Sequence, residues 1–351
     1  MIDKEFGTLL LFFTTVVCTL LHADQAQAES NSISMNRAVH IRSPLARVMY
    51  TKHIQGHFDR SKVESYAYKW YECNDELFTN EIKKMFVRSH KDDETNKFLD
   101  GCYEQSDWVF TQLSKAIAKT FLSLFMSQTT INGLLQRGSM FVCSSEQFRT
   151  LASIDKNWKA SSMLDLGAGD GMVTKYLAPH FQEVIVTEMS TTMQWRLQEK
   201  GYKVVGVDEW ANRTYDMISC LNLIDRCDKP ITLLHNIHKA LNPGGIVILA
   251  VVIPYRPFVE FGSSKNCPSE YMEVEGKTWE EQAQSLITEY FIPAGFKLRS
   301  FTRVPYLCEG DMHNPFYVLS DALFVLESSE ISCEVQSCSG QPTEKMIYEQ
   351  S

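Results

Sequence analysis

Residues 163–171, MLDLGAGDG, end an apolar run in three glycines at alternate positions, Gly167, Gly169 and Gly171, with Asp165 just ahead of them. Glycine lets backbone N–H groups approach a ligand with no Cβ in the way, and it takes left-handed turns without a steric penalty. Glu188 comes seventeen residues after Gly171, at the end of the next apolar run. A carboxylate there can accept both hydroxyls of a ribose as a bidentate pair. The chemistry on offer is therefore the binding of a nucleoside-bearing cofactor. The plainer alternative is a glycine turn with no ligand, with Glu188 capping a helix ahead of Ser190.

A second stretch, CLNLIDRCD at 220–228, interleaves Asn222, Asp225, Arg226 and Asp228 with Leu221, Leu223, Ile224 and Cys227. Its polar groups either solvate a turn or line a site, and the answer depends on what surrounds them. Asp208-Glu209-Trp210 follows a third apolar segment. Trp210 there can stack on an adenine while Asp208 accepts from its exocyclic amine; equally, Trp210 can pack under the sheet.

The elements that must carry these residues follow from periodicity. After residue 160 strand patterns alternate with helical ones, the signature of an α/β sheet with crossover connections. Strands are expected at 162–166, 183–187, 203–207, 215–221 and 245–252, and helices at 171–178, 190–200, 229–241 and 279–293. Pro243-Gly244-Gly245 marks the turn into the fifth strand, and apolar segments 296–304 and 316–326 give the sheet an antiparallel finish. Ahead of it, residues 46–150 read as a helical N-terminal region. A helix over 75–89 would put Leu77, Ile82, Met85 and Phe86 on one face, and one over 106–126 would align Trp108, Leu113, Ile117, Phe121 and Leu124. Residues 131–142 read as a structured loop, and Ser144 or Ser145 as the cap of a short helix into Leu151.

The 351 residues, 44% hydrophobic and 22% charged, are enough to bury a sizeable core. A net charge of −9 argues against a nucleic-acid partner held by a basic surface. The ten cysteines include no CxxC pair, which argues against zinc ribbons and thioredoxin-type motifs. His53 and His57, and His235 and His238, have helix-face spacing but no supporting carboxylate or cysteine pattern, so no metal site is expected. Residues 1–28 read as a signal peptide or membrane anchor. Their apolar run 9–21 is short for a bilayer span, and Ala26-Gln27-Ala28 supplies a cleavage signature. Residues 29–45 read as a polar linker and 328–351 as a disordered tail.

Strand, D-x-G-x-G-x-G loop, helix, strand and terminal acid together resemble the S-adenosylmethionine site of Rossmann-like methyltransferases. The third glycine of a dinucleotide fingerprint would fall at Met172, which leaves an NAD-binding oxidoreductase as the second reading. LDLGAGDG (164–171), ISCLNLIDRCD (218–228), SLFMSQTTINGLLQRGSMFV (123–142) and TRVPYLCEGDM (302–312) go further. They resemble the methyltransferase-like protein 9, or DREV, family from about Ser43 to Leu326.

The resemblance implies an α/β, Rossmann-like class I methyltransferase sheet at 151–327 with an N-terminal helical extension. It further implies S-adenosyl-L-methionine as cofactor and methyl transfer to the pros nitrogen (Nδ1) of histidine in His-x-His motifs with x small. The partners would then be proteins carrying such motifs, including His-rich metal-handling segments. Glu188, Asn222 and Tyr306 match positions that hold the cofactor, beside Asp165 and the three glycines. Asp225 matches the acid facing the substrate imidazole.

The chemistry suits these residue types. To use Nδ1 as nucleophile, the imidazole proton must sit on Nε2, and a carboxylate accepting from Nε2–H holds that tautomer. Asp225 is expected in that role, with Asn222 beside it and Tyr306 as a wall with a hydroxyl. Glu309 and Asp311 either select the target segment or solvate a turn around Gly310. A small-molecule methyltransferase and a non-catalytic cofactor-binding scaffold are the competing functions.

The leader points to the endoplasmic reticulum or secretory route with membrane association through residues 9–21, whereas the family resemblance also allows the mitochondrion. Asn212-Arg213-Thr214 is a glycosylation sequon. If the domain is lumenal, glycosidase treatment of the expressed protein will shift its mobility, and Asn212→Gln will abolish the shift.

Overall fold

The computed structural model describes residues 60–107, 131, 135, 138–259, 265–311 and 314–329. The leader, the polar linker, the tail beyond residue 329 and nearly all of the helix expected over 106–126 lie outside the described residues, as do residues 132–134, 136 and 137 of the loop expected over 131–142.

Eight strands form one sheet: β1 (Met140–Phe141), β2 (Ala160–Leu166), β3 (Phe181–Thr187), β4 (Lys203–Val205), β5 (Tyr215–Leu221), β6 (Leu241–Val252), β7 (Phe296–Glu309) and β8 (Phe316–Ser328). Their order is β1-β7-β8-β6-β5-β2-β3-β4. Strands β2 to β6 pair in parallel, and β8, β7 and β1 add on antiparallel. The chain runs from β2 outward through β3 and β4, then crosses back to β5 on the other side of β2. The carboxyl ends of β3, β2 and β5 thus stand side by side at a topological switch point, where open α/β sheets bind ligands. This is the Rossmann-like class I methyltransferase sheet, with an N-terminal helical extension.

The parallel strands read as unbroken apolar runs because both faces are covered. Leu164, Ile218, Val247 and Leu249 belong to one core cluster, with Leu234 and Ile237 of the helix Pro230–Lys239. Met163, Met217, Ile246 and Ile248 belong to the other, with Phe148 and Leu151 of the helix Ser145–Ala152. Ser144 starts that helix with a capping box shared with Gln147, and Thr278 does the same with Glu281 for the helix Trp279–Ser285. Pro243-Gly244-Gly245 lies at an irregularity within β6, where the register jumps from Tyr215↔Leu241 to Met217↔Ile246.

The helix expected over 75–89 is broken. A 3-10 turn spans Asp75–Leu77 and a short helix Asn80–Lys83, after which the backbone pairs with β7. Val87 N donates to Phe301 O at 2.8 Å, and Phe301 N to Met85 O at 3.0 Å. Leu77 and Met85 face solvent, whereas Phe78 is buried. The cause is tertiary. Phe78 and Phe86 lie edge-on to Phe301, with ring centroids 5.1 and 5.2 Å away, and Phe301 stacks on Phe324 at 5.9 Å. Burying these rings on the sheet outweighs the helical preference of the segment.

β1 pairs with the same outer edge of β7 further along, Met140 opposite Cys308 and Phe141 opposite Leu307. The extension therefore covers an edge that would otherwise be open to pairing with another chain. It also supplies a strand to the sheet, and the expected boundary at residue 151 falls inside the helix Ser145–Ala152. The helix Asp93–Asp107 lies outside β1, with Phe98 stacked on Phe141 at 5.5 Å. Cys73, Cys102, Cys143 and Cys220 are free, buried thiols. Among the described residues no helix is long and apolar enough to cross a membrane.

Phe301 joins the extension to the sheet and is fully buried. Phe301→Ala should cost about 3–5 kcal/mol of unfolding free energy, measurable by denaturant titration.

Candidate active site

All three loop glycines take left-handed conformations, with φ of 69° at Gly167, 57° at Gly169 and 74° at Gly171. Packing adds a second constraint at two of them. A Cβ on Gly167 would stand 3.2 Å from Leu223 Cδ1, and one on Gly171 would stand 2.9 Å from Leu197 Cδ2. At Gly169 the nearest heavy atom would be Met140 Cε at 3.8 Å. The middle glycine is therefore the least crowded of the three, with only an ordinary contact to the Met140 methyl.

Hydrogen bonds hold the loop against the end of β3. Ala168 N donates to Thr187 O at 3.0 Å and Gly169 N to Glu188 Oε2 at 3.0 Å. The other oxygen of Glu188 accepts from Ser190 N at 2.9 Å, so the carboxylate is fixed from both sides and 8% exposed. Capping and ligand binding do not compete here, because each carboxylate oxygen has more than one lone pair.

Asp165 lies beneath the loop. Its two oxygens accept from Thr174 Oγ1 at 2.6 Å and Ser219 Oγ at 2.5 Å, and it is 3% exposed. Burial pushes its carboxyl up to about 6, against the pull of those two hydroxyls. It was expected to touch the cofactor; instead it ties the loop to β5 and to the helix Thr174–Leu177.

The stretch 220–228 turns directly beside the glycine loop. Asn222 follows β5 with φ of 53°, a conformation asparagine tolerates better than most residues, and its N–H donates to Ala250 O at 3.0 Å. Its Nδ2 donates to Asp321 Oδ2 at 2.8 Å, while its Oδ1 is buried with no hydrogen-bond partner among the described residues.

Asp225 is 2% exposed. Its Oδ2 pairs with Arg226 Nε at 3.1 Å, and its Oδ1 has no hydrogen-bond partner among the described residues. Burial raises its carboxyl above the usual range, opposed by the Arg226 guanidinium. Phe258 N donates to Asp225 O at 2.8 Å and fixes the turn from outside.

Tyr306, on β7, closes the opposite side. Its hydroxyl donates to Met140 Sδ, the same side chain that faces Gly169. Burial drives its phenol well above the usual range, with the negative charges of Cys308, Asp321 and Asp225 adding to the rise and Arg226 opposing it.

Other expected residues sit elsewhere. Trp210 is 7% exposed and belongs to the core cluster with Ile185 and Tyr215, so its ring is committed to packing and not available to stack on an adenine. Asp208 is exposed beyond β4. Glu309 is buried at the edge of β7, where its Oε2 accepts from Ser139 N at 3.2 Å. Asp311 belongs to the β7–β8 turn and accepts from Tyr317 OH at 3.0 Å. Asp311 is thus engaged within the hairpin, whereas Glu309 is engaged by the segment that leads into β1. His238 Nε2 lies 3.1 Å from Ser328 Oγ, against Phe296.

Sequence reasoning missed Asp321, which is fully buried in β8. Its signal was available: one acid opening the otherwise apolar run Ala322–Leu326. Met140 and Ser219 carried no such signal.

The assembled residues fit S-adenosylmethionine. The glycine loop and the pinned Glu188 suit a nucleoside, and the oxygens of Asn222 and Asp225 that lack a partner among the described residues suit groups that donate N–H bonds. Glu188→Ala should weaken cofactor binding roughly tenfold or more, as expected for losing hydrogen bonds to a charged acceptor. Calorimetric titration with S-adenosylhomocysteine measures it.

Comparison with known proteins finds similarity to methyltransferases. A family model, that of the DREV methyltransferases, matches residues 70–328. The ubiquinone biosynthesis O-methyltransferase of Aliivibrio fischeri is 25% identical over 101 residues, 26% of this chain and 43% of that protein, so the match spans less than half of the relative. Among solved structures, the N-methyltransferase NodS from Bradyrhizobium japonicum, in complex with S-adenosyl-L-homocysteine, is 18% identical with a TM-score of 0.34, covering 53% of this chain and 85% of that one. A SAM-dependent methyltransferase from Leishmania major is 17% identical with a TM-score of 0.36, covering 52% and 71%.

Proposed function

The chain belongs to the DREV methyltransferase family, and from that premise we propose that it transfers a methyl group from S-adenosylmethionine to the pros nitrogen (Nδ1) of histidine in His-x-His segments of other proteins. The observation that carries this reading is Asp225: a buried carboxylate with one oxygen held by Arg226 and the other without a partner among the described residues. Such an oxygen fits a donor that enters with the substrate.

When bound, the cofactor supplies a methyl on a sulfonium, already strongly electrophilic, so the protein's task is mainly alignment. Asp225 Oδ1 accepts from the imidazole Nε2–H. This keeps the Nδ1 lone pair free for attack and stabilises the positive charge that spreads over the ring as the methyl transfers. Arg226 would occupy the carboxylate only if it bound both oxygens. It takes Oδ2 alone and, at 47% side-chain exposure, restrains the group while leaving Oδ1 for the ring. The raised basicity that burial confers strengthens Asp225 as an acceptor. Tyr306 limits the space on the far side of the site, and Asn222 adds a second acceptor.

A small-molecule acceptor is the second reading. Nothing about Asp225 selects a peptide over a free imidazole; the resemblance of the 218–228 and 302–312 motifs does.

Incubation with labelled S-adenosylmethionine and a His-x-His peptide should yield 1-methylhistidine. Methyl on the tele nitrogen only, or on lysine or arginine, would refute the assignment. Asp225→Asn should reduce kcat by about 100-fold or more with cofactor affinity nearly intact, because the loss is one of orientation and charge stabilisation. A variant that lost cofactor binding instead would remove Asp225 from this role.

A further inference from the structure

Asp321 lies in the middle of the sheet, opposite Val252 of β6 and Val304 of β7, and it is fully buried. A carboxylate in such a place is costly unless something compensates. One oxygen accepts from Asn222 Nδ2 at 2.8 Å; the other has no hydrogen-bond partner among the described residues. Burial pushes the acid well above its ordinary range. As a carboxylate, or as an acid with its proton on Oδ1, it accepts at Oδ2 from Asn222.

The consequence falls on Asn222. Its backbone is held in the left-handed region with its N–H on Ala250 O, so the main freedom left is a half-turn of the side-chain amide. That half-turn exchanges a carbonyl oxygen for an NH2 at nearly the same point. Facing a carboxyl oxygen that accepts, the amide must direct its NH2 toward Asp321 and its oxygen the other way. That oxygen is the buried, unpartnered Oδ1 next to the Asp225 turn.

We propose that Asp321 is a positioning residue: by accepting from Asn222 Nδ2 it makes Asn222 present an acceptor oxygen, which together with Asp225 Oδ1 receives the N–H donors of the bound ligands. Two ligands have the required chemistry, the ammonium of the cofactor's amino-acid end and an N–H of the methyl acceptor. This inference rests on Asn222 and Asp225 forming the transfer site, and it does not require the acceptor to be histidine.

The test uses the full chain and a reciprocal exchange. In Asp321→Asn, the new amide can donate to Asn222 Oδ1 and turn the Asn222 NH2 into the site. In the double variant Asn222→Asp with Asp321→Asn, Asp at 222 accepts from Asn at 321 and again presents an oxygen, with net charge unchanged. S-adenosylhomocysteine affinity, kcat and KM on a His-x-His peptide and the melting temperature are measured for each.

Asp321→Asn should lose about tenfold or more in cofactor affinity or in kcat/KM with its melting temperature little changed, and the exchange should recover to within about threefold of wild type. Loss of cofactor affinity assigns the donor to the cofactor; loss of kcat/KM alone assigns it to the acceptor. Wild-type behaviour of Asp321→Asn overturns the proposal, as does an exchange that folds but stays as impaired as the single variant. A functional loss that merely tracks loss of stability overturns it too. If Asp321→Asn does not fold, the exchange alone decides, with near-wild-type function in support and a tenfold loss against. If the wild-type protein leaves His-x-His peptides unmethylated, the histidine reading fails, and the cofactor affinities alone judge Asp321.

Discussion

The hydrogen bond from Gly169 N to Glu188 Oε2, 3.0 Å long, joins the loop after β2 to the end of β3. The rest of the site depends on it. The loop can reach Glu188 only because three alternate residues take positive φ, which bends the chain back over the strand ends. Side chains then lock the bend: Leu223 fills the space over Gly167, and Leu197 that over Gly171. Asp165 holds the underside through Thr174 and Ser219. A carboxylate buried for this purpose is unfavourable in isolation, and its two hydroxyl donors offset the cost.

The antiparallel half of the sheet completes what the parallel half begins. Asp321 and Tyr306 come from β8 and β7, and Met140 comes from β1, a two-residue strand contributed by the N-terminal extension. The extension therefore does more than cover an edge. It brings a thioether between Gly169 and Tyr306, and its aromatic residues fasten β7 to the rest of the fold through Phe301.

The parallel half was readable from the chain because the signals are local. Apolar runs of strand length alternate with amphipathic helices, glycines mark the loop, and just ahead of the sheet Ser144 marks a helix start. The failures share one cause. Residues 75–89 have helical spacing but lie on β7, where Phe78 and Phe86 gain more from Phe301 than from a continuous helix. Trp210 could serve a ligand or the core, and only the neighbouring strands commit it to the core. Glu309 and Asp311 could select a target segment or solvate a turn, and only the fold sets Glu309 against Ser139 and Asp311 against Tyr317.

By itself the sequence determined that a nucleoside cofactor would meet a glycine loop and an acid at the ends of adjacent parallel strands, since spacing along one βαβ unit suffices for that. It also singled out Asn222 and Asp225 as residues that either solvate a turn or line a site. Only the tertiary structure decided what each presents: which end of the Asn222 amide faces outward, and which oxygen of Asp225 Arg226 leaves open. The first of these choices depends on Asp321, 99 residues downstream of Asn222 in the chain and 2.8 Å away in space. A hydrogen bond between residues so far apart leaves no periodic trace in the sequence, because it depends on how strands pair and not on the order in which they occur.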